Sequence, residues 1–137
     1  IEKDAVIIVG TPRWSQNVDD AANDPIVGYD NLMYTLHFYA GTHKEWLRQK
    51  GDYAISKGLA LFVTECGGMN ADGQGPVDVE SSKAWIEWMD DNDISYLFWS
   101  ISDKKETCSM LYPSAASEGP WNDEDISPWG KFVKEML

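Results

Sequence analysis

A single carboxylate, Glu65, stands at the end of a hydrophobic run and before two glycines. The run, residues 61–63, is aliphatic and aromatic and follows Gly58, which predicts a short buried strand. Because a lone buried Glu is costly unless it is paired or hydrogen-bonded, Glu65 needs a partner or a function. In parallel α/β folds ligands bind at the carboxyl ends of strands, so Glu65 is a candidate catalytic residue. A solvated loop carboxylate is the alternative interpretation.

The other predicted strands also end in side chains that could bind or act on a ligand. These are Trp14, His37, Tyr39, Trp99, Lys104 and Glu106. Each alone has a structural explanation, such as a hydrogen-bonded core histidine, a packing tryptophan or a solvated charged loop. Their common position at strand ends favours one shared site, because strand ends that serve stability alone do not need polar groups.

A metal site built from His37, His43 and nearby acids is a weaker hypothesis. The two histidines are six residues apart and are not accompanied by an HExxH-like helix. Two cysteines without a CxxC spacing also argue against structural zinc. The sequence therefore predicts a site without a metal or other cofactor.

Strands and helices alternate along the chain. Strands are predicted at residues 5–10, 32–39, 61–65 and 94–100, and helices at 44–57, 79–91 and 128–136, with at most a short helix within 17–31. In the second strand, a period of two places Thr35, His37 and Tyr39 on one face. Asp78 is the expected N-cap of the middle helix. The alternation predicts an α/β fold of right-handed parallel βαβ units, with two unpaired sheet edges.

Composition excludes several classes of partner. The chain has 137 residues, 43% of them hydrophobic, which is enough for one domain with a core. With 23 acidic and 11 basic residues and a net charge of -12, it lacks the basic surface that nucleic acids and anionic membranes require. No apolar run approaches a membrane span, and no signal-peptide pattern opens the sequence at residues 1–4. Seven Trp and six Tyr suit a sugar or apolar ligand.

Four motifs together resemble glycoside hydrolase family 5 endo-β-1,4-glucanases, the bacterial cellulase type. They lie at residues 7–16, 34–42 (YTLHFYAGT), 63–65 (VTE) and 99–104, in order and over nearly the whole chain. The resemblance implies a (β/α)8 TIM barrel, with residues 1–137 as the C-terminal half of the catalytic domain and the predicted strands as strands five to eight. It also implies a β-glucan substrate and a secreted, extracellular protein.

The resemblance assigns roles to the candidate residues. Glu65 matches the nucleophile of a retaining glycosidase, and His37 and Tyr39 match the pair that holds this carboxylate. Sugar contacts are implied for four more residues: stacking for Trp14 and Trp99, and hydrogen bonds to hydroxyl groups for Lys104 and Glu106. A carboxylate nucleophile must stay ionised, and hydrogen bonds from the pair would favour the charged form.

The acid/base residue of such an enzyme is not found in this sequence. In the family it is a Glu within an Asn-Glu-Pro motif after strand four, and Asn23-Asp24-Pro25 lies in a connection rather than at a strand end. We therefore expect the N-terminal half of the barrel, in the same or a companion chain, to complete the site, and this chain alone to be inactive. A non-catalytic β-glucan-binding module or a self-associating half-barrel is the alternative.

Cys66 departs from the family pattern, which often has an aromatic residue after the Glu. In a barrel Cys66 and Cys108 would lie on the same rim. A disulfide between these two residues is a hypothesis that follows from the resemblance.

Overall fold

Four parallel strands form one sheet in chain order in the computed structural model, which describes residues 4–137. The strands are β1 (Ile7–Val9), β2 (Leu32–Tyr39), β3 (Leu61–Gly67) and β4 (Tyr96–Phe98). The helices are α1 (Pro12–Ser15), α2 (Val18–Asn23), α3 (Glu45–Ser56), α4 (Val79–Asp91) and α5 (Pro128–Met136). The predicted parallel α/β arrangement is confirmed. The statement that no signal-peptide pattern opens the sequence concerns residues 1–4. Of these, residues 1–3 lie outside the described residues.

The element boundaries follow local sequence signals except at the sheet edges. Asp78 caps α4 by accepting a 3.0 Å hydrogen bond from the Ser81 amide. Gly58, at φ 86°, follows α3 in a left-handed conformation that suits glycine. β1 and β4 are shorter than predicted. Each is an edge strand that pairs with one neighbour only, so the residues at its ends have no paired strand to bond to. The single turn α1 was not predicted.

The helices cover one face of the sheet and build the core there. Trp85 of α4 is fully buried, and its ring stacks on Phe38 of β2 with 3.9 Å between ring centroids. Leu36 and Val63 are also fully buried on this side. Residues 4–137 place no helix layer on the opposite face, which carries the polar side chains of the candidate site. No helix within residues 4–137 is long and apolar enough to cross a membrane.

A bulge in β3 decides which side chains reach the polar face. From Thr35 to His37, β2 advances two residues, whereas its partner positions in β3 advance three, from Phe62 to Glu65. On the other side, Val63 and Cys66 pair with positions only two apart in β4. One extra residue in a strand breaks the strict alternation of faces. Thr64 and Glu65, although adjacent, therefore both face the side opposite the helices.

The disulfide hypothesis is wrong, because both cysteines are free thiols in the structure. The bulge sends Cys66 to the helix-covered side, where its Sγ lies 3.4 Å from the carbonyl oxygen of Leu97. Cys108 belongs to a second buried cluster, together with Met110 and Trp129. Burial raises the pKa of both thiols, that of Cys108 to about 11, so neither is a ready thiolate.

The long segment without periodicity, residues 107–127, packs against α5. Leu111 and Ile126 form an antiparallel bridge, and the Ser127 hydroxyl donates to the carbonyl oxygen of Ser109 at 2.7 Å. The same hydroxyl accepts from the Gly130 amide and so caps α5. The backbone of the segment also bonds to the rest of the domain, through the Met110 amide to the Ser100 carbonyl oxygen at 3.1 Å and the Cys108 amide to the Gly73 carbonyl oxygen at 3.2 Å.

Candidate active site

Glu65 lies at the carboxyl end of the sheet with one hydrogen-bond donor in place. The Tyr39 hydroxyl donates to Oε1 of Glu65 at 2.8 Å. His37 Nδ1 is 3.9 Å from the other oxygen, Oε2, which is close enough for electrostatic attraction but long for a hydrogen bond. The Glu65 side chain is 28% exposed, and it opens into a cavity of about 390 Å³. One carboxylate oxygen is therefore fixed by a hydrogen bond, and the side chain that carries it lines the cavity.

Hydroxyl groups support His37 from the side away from Glu65. Its Nε2 lies 2.7 Å from Oγ1 of Thr64, and Thr64 Oγ1 is in close contact with the hydroxyl of Thr35. Thr11 in turn donates to the backbone oxygen of Thr35. Sequence reasoning placed Thr35 on the correct face through the period of two. It missed Thr64, because it placed Glu65 on this face, and without the bulge two adjacent residues cannot both point there.

The two side chains beside Glu65, Tyr39 and His37, are both uncharged at neutral pH. Burial and then the hydrogen bond to Glu65 raise the pKa of Tyr39, so its hydroxyl stays protonated. Burial lowers the pKa of His37, and the Glu65 charge offsets this only in part, so the imidazole is neutral. Glu65 thus faces a phenol and a neutral imidazole rather than a cation.

Trp14 lies at the rim of the same cavity on an unusual turn. Arg13, Trp14 and Ser15 all have φ between 53° and 61°, a left-handed conformation that costs energy for residues other than glycine. The turn is held by the Ser15 amide, which donates to the Thr11 carbonyl at 3.1 Å. The Trp14 side chain is 84% exposed. Such strain at a cavity rim is typical of ligand-binding segments.

The other sequence candidates lie outside the cavity that holds Glu65. Within residues 4–137 that cavity is lined by Trp14, Gln16, His37, Tyr39, His43, Glu65 and Ala71. The Trp99 amide bonds to the carbonyl oxygen of Cys66 at 2.8 Å, so its backbone is next to the end of β3, and its side chain is 41% exposed. Lys104 and Glu106 line a different cavity of about 450 Å³, together with Tyr112 and Pro113. The structure thus brings Trp14, His37, Tyr39 and Glu65 together in one cavity.

His43 is held as part of the scaffold. Its Nδ1 accepts a 2.8 Å hydrogen bond from the Tyr39 amide, and its backbone oxygen accepts from Trp85 Nε1 at 2.8 Å. His43 is 4% exposed. Within residues 4–137 no group of three or more His, Cys, Asp and Glu side chains is arranged to hold a metal ion.

A sequence profile of the family Cellulase (glycosyl hydrolase family 5) matches residues 1–105. The chain belongs to glycoside hydrolase family 5. Over its whole length it is 48% identical to Endoglucanase Z of Dickeya dadantii and 44% identical to the endoglucanase of Clostridium saccharobutylicum. It spans 30% of each of these curated relatives.

Solved family 5 structures have the same fold. A protein from Cytophaga hutchinsonii superposes with a TM-score of 0.93 at 48% identity, over 96% of this chain and 42% of that one. The catalytic domain of Thermobifida fusca endoglucanase Cel5A gives a TM-score of 0.89 at 30% identity, over 97% and 46%. Another structure of that domain is a complex with cellotetraose. The fold prediction is confirmed: the parallel sheet is half of a family 5 (β/α)8 barrel.

Acid should destabilise this family 5 chain in two separate pH ranges. Burial lowers the pKa of His37 and His43 below 6.5, so the unfolded chain binds these protons first. Stability is therefore full above pH 6.5 and falls as the pH drops from there through the folded-state values. The Lys44 hydrogen bond lowers the pKa of Asp78 below 3.8, so its contribution is lost only below that pH.

Urea unfolding at a series of pH values tests this prediction. The urea midpoint should fall on acidification below neutral pH. His43→Asn, which keeps an acceptor for the Tyr39 amide, should make that first decline shallower. A midpoint that stays constant until the carboxylates titrate would contradict the assignment of the first range to the histidines.

Proposed function

We propose that this chain carries the nucleophile of a retaining endo-β-1,4-glucanase and that Glu65 is that nucleophile. The observation that carries the proposal is the 2.8 Å hydrogen bond that fixes Oε1 of Glu65 on Tyr39, in a side chain that lines the cavity. Family membership supports the reaction class. The cellotetraose complex of the Thermobifida fusca domain supports a β-1,4-glucan as substrate.

In the proposed reaction Oε2 of Glu65 attacks the anomeric carbon. A C–O bond to the enzyme forms, and the bond to the leaving sugar oxygen breaks while a second carboxylic acid protonates that oxygen. Water activated by the same second group then hydrolyses the glycosyl–enzyme intermediate. Trp14 and Trp99 would stack on sugar rings, and Lys104 and Glu106 would bind hydroxyl groups further along the glucan. Because an insoluble polymer cannot enter a cell, this activity would be extracellular.

The second carboxylate is proposed to come from the N-terminal half of the barrel. A retaining glycosidase needs its two carboxyl groups about 5 Å apart. The chain spans less than half of the solved family 5 structures, and its uncovered sheet face exposes Ile8 (39%) and Leu97 (56%) near the two edges. Strands of the other half would pair with both edges and close the barrel. Residues 1–137 are then the C-terminal half of the catalytic domain.

Reconstitution tests this proposal directly. The chain is co-expressed or mixed with a family 5 N-terminal half, and hydrolysis of carboxymethyl-cellulose is measured. General acid assistance is worth about 100- to 10,000-fold, so the chain alone should be slower by at least this factor. A reconstituted barrel without turnover would contradict the proposal.

A non-catalytic β-glucan-binding or self-associating half-barrel remains the second candidate. The 84% exposed Trp14 and the uncovered sheet face favour it. It predicts that the chain alone binds cello-oligosaccharides with an affinity that Glu65→Gln leaves unchanged, or that it runs as a dimer in sedimentation experiments.

Tyr39→Phe in the reconstituted enzyme should lower kcat about 10- to 100-fold with little change in fold. The variant removes only the hydroxyl that bonds to Glu65, and hydrogen bonds to charged groups are worth about 1.5–3 kcal/mol. Steady-state kinetics on a cello-oligosaccharide measures the effect. Tyr53→Phe on α3, whose hydroxyl bonds to Asn23 away from the cavity, is the matched control and should keep full activity. Equal kcat values for the two variants would argue against a role for Tyr39.

A further inference from the structure

We infer that Thr64 is a positioning residue that sets the tautomer of His37, so that the neutral imidazole presents Nδ1–H to Glu65. The tautomer itself is a property of the folded chain. Its value for catalysis rests on the proposed function. Spectra of the chain test the tautomer, and kinetics of the reconstituted enzyme test its value for catalysis.

The number of protons around His37 limits which hydrogen bonds can form. A neutral imidazole carries one N–H, and each threonine hydroxyl can donate once. If the proton were on Nε2, the lone pair of Nδ1 would face the Glu65 carboxylate at 3.9 Å, which is repulsive. If the proton is on Nδ1, that contact becomes attractive, and Nε2 needs a donor.

Thr64 is that donor. Its Oγ1 is 2.7 Å from Nε2, and it is also in contact with the hydroxyl of Thr35. If Thr64 donates to Nε2, then Thr35 donates to Thr64. The three side chains then form one hydrogen-bonded relay that runs from Thr35 through Thr64 to His37. Thr35 is buried, and its backbone oxygen accepts a hydrogen bond from the Thr11 hydroxyl. The relay therefore starts from a residue that is held in place.

Among the described residues 4–137, Glu65 is the charged side chain that lines this cavity beside His37. The cavity wall next to it comes from Tyr39 on β2, from Glu65 on β3, from Trp14 in α1 and from His43 in the connection after β2. Tyr39 keeps its proton, and burial keeps the pKa of His43 below its usual value, so it is neutral as well. The Glu65 charge therefore favours the Nδ1–H tautomer, and the two threonine hydroxyls can be oriented to match it.

His43 provides an internal reference. Its Nδ1 accepts from the Tyr39 amide at 2.8 Å, so the neutral ring must carry its proton on Nε2. The sequence contains two histidines, and they are thus expected in opposite tautomeric forms. This contrast can be observed in one spectrum.

Long-range ¹H–¹⁵N correlation spectra of the ¹⁵N-labelled chain at neutral pH test the inference. His37 should show the Nδ1–H cross-peak pattern and His43 the Nε2–H pattern. Thr64→Val, which keeps the shape but cannot donate, should move His37 towards the Nε2–H form, and Thr64→Ser should restore it. An unchanged His43 pattern shows that each variant is folded. The inference would be overturned by an Nε2–H pattern for His37 in the unsubstituted chain, or by an unchanged His37 pattern in Thr64→Val. If Thr64→Val does not fold, the spectra of the unsubstituted chain and of Thr35→Val decide the question.

Activity of the reconstituted enzyme tests the catalytic value. Thr64→Val should lower kcat roughly tenfold with little change in KM, and Thr64→Ser should recover most of the loss. The remaining activity of Thr64→Val should also rise relative to wild type at mildly acidic pH, because protonated His37 again carries Nδ1–H. A simple structural role would not give this pH dependence. If reconstitution yields no activity at all, the proposed function fails, while the spectra still decide the tautomer.

Discussion

Glu65→Gln in the reconstituted barrel should reduce hydrolysis of carboxymethyl-cellulose by at least about 10⁴-fold. Removing a catalytic nucleophile in other enzymes costs on the order of 10⁶-fold in kcat. The amide has nearly the shape of the carboxylate and can still accept from Tyr39, so the cavity should persist. Substrate binding, measured by calorimetry with a cello-oligosaccharide, is therefore expected to survive the substitution. Loss of turnover with retained binding is the signature of a missing nucleophile.

A nucleophile can be distinguished from an acid/base residue by chemical rescue. In Glu65→Ala the space of the carboxylate is open, and azide can enter from that face. With an aryl β-cellobioside, azide forms a C–N bond at the anomeric carbon as the aryl oxide leaves, and the product is an α-glycosyl azide. A β-glycosyl azide would show that Glu65 acts as the acid/base group instead.

Glu87→Gln is the matched control for the charge change. Glu87 is exposed on α4, on the helix-covered side of the sheet and away from the cavity. The Glu87→Gln variant loses the same charge as Glu65→Gln. Its hydrolysis rate should nevertheless stay within about twofold of wild type, because surface substitutions away from a site have small effects. If Glu65→Gln were as active as Glu87→Gln, the proposed function would be excluded.

The sequence predicts most of the fold because its signals are local. The extent of β2, the ends of α3 and α4 and the Asp78 cap all follow from periodicity, glycine and capping preferences within a few residues. The same period of two placed His37 and Tyr39 on one face. The positions of strand ends then predicted that Glu65 would lie near them, as the 2.8 Å contact with Tyr39 shows.

The finer geometry of the site could not be predicted, because it depends on tertiary register. The bulge in β3 is visible only in its pairing with β2 and β4, and strict alternation would have placed Thr64 and Glu65 on opposite faces. The same shift sends Cys66 into the core, which is why the disulfide hypothesis was wrong. Lys104 and Glu106 follow β4 in sequence, but the fold of the long segment after it places them in a separate cavity.

Trp85→Ala should lower the free energy of unfolding by about 3–5 kcal/mol, the usual cost of removing a large buried aromatic side chain. Trp85 is fully buried, stacks on Phe38 at 3.9 Å and meets Trp88 edge to face. Total stabilities of single domains are about 5–15 kcal/mol, so this loss would leave the chain close to unfolding. Urea unfolding followed by circular dichroism measures it, with Trp46→Ala, a 47% exposed residue of α3, as the control expected within about 1 kcal/mol.

Trp85→Phe separates packing from hydrogen bonding at the same position. It keeps an aromatic ring against Phe38 but removes Nε1, which donates to the backbone oxygen of His43 at 2.8 Å. His43 in turn accepts from the amide of Tyr39, so this bond connects the core to the tyrosine that holds Glu65. We expect a smaller loss of stability than in Trp85→Ala, together with a reduced kcat in the reconstituted enzyme. Unchanged kcat would show that the backbone around Tyr39 is held without the tryptophan, and that α4 contributes stability alone.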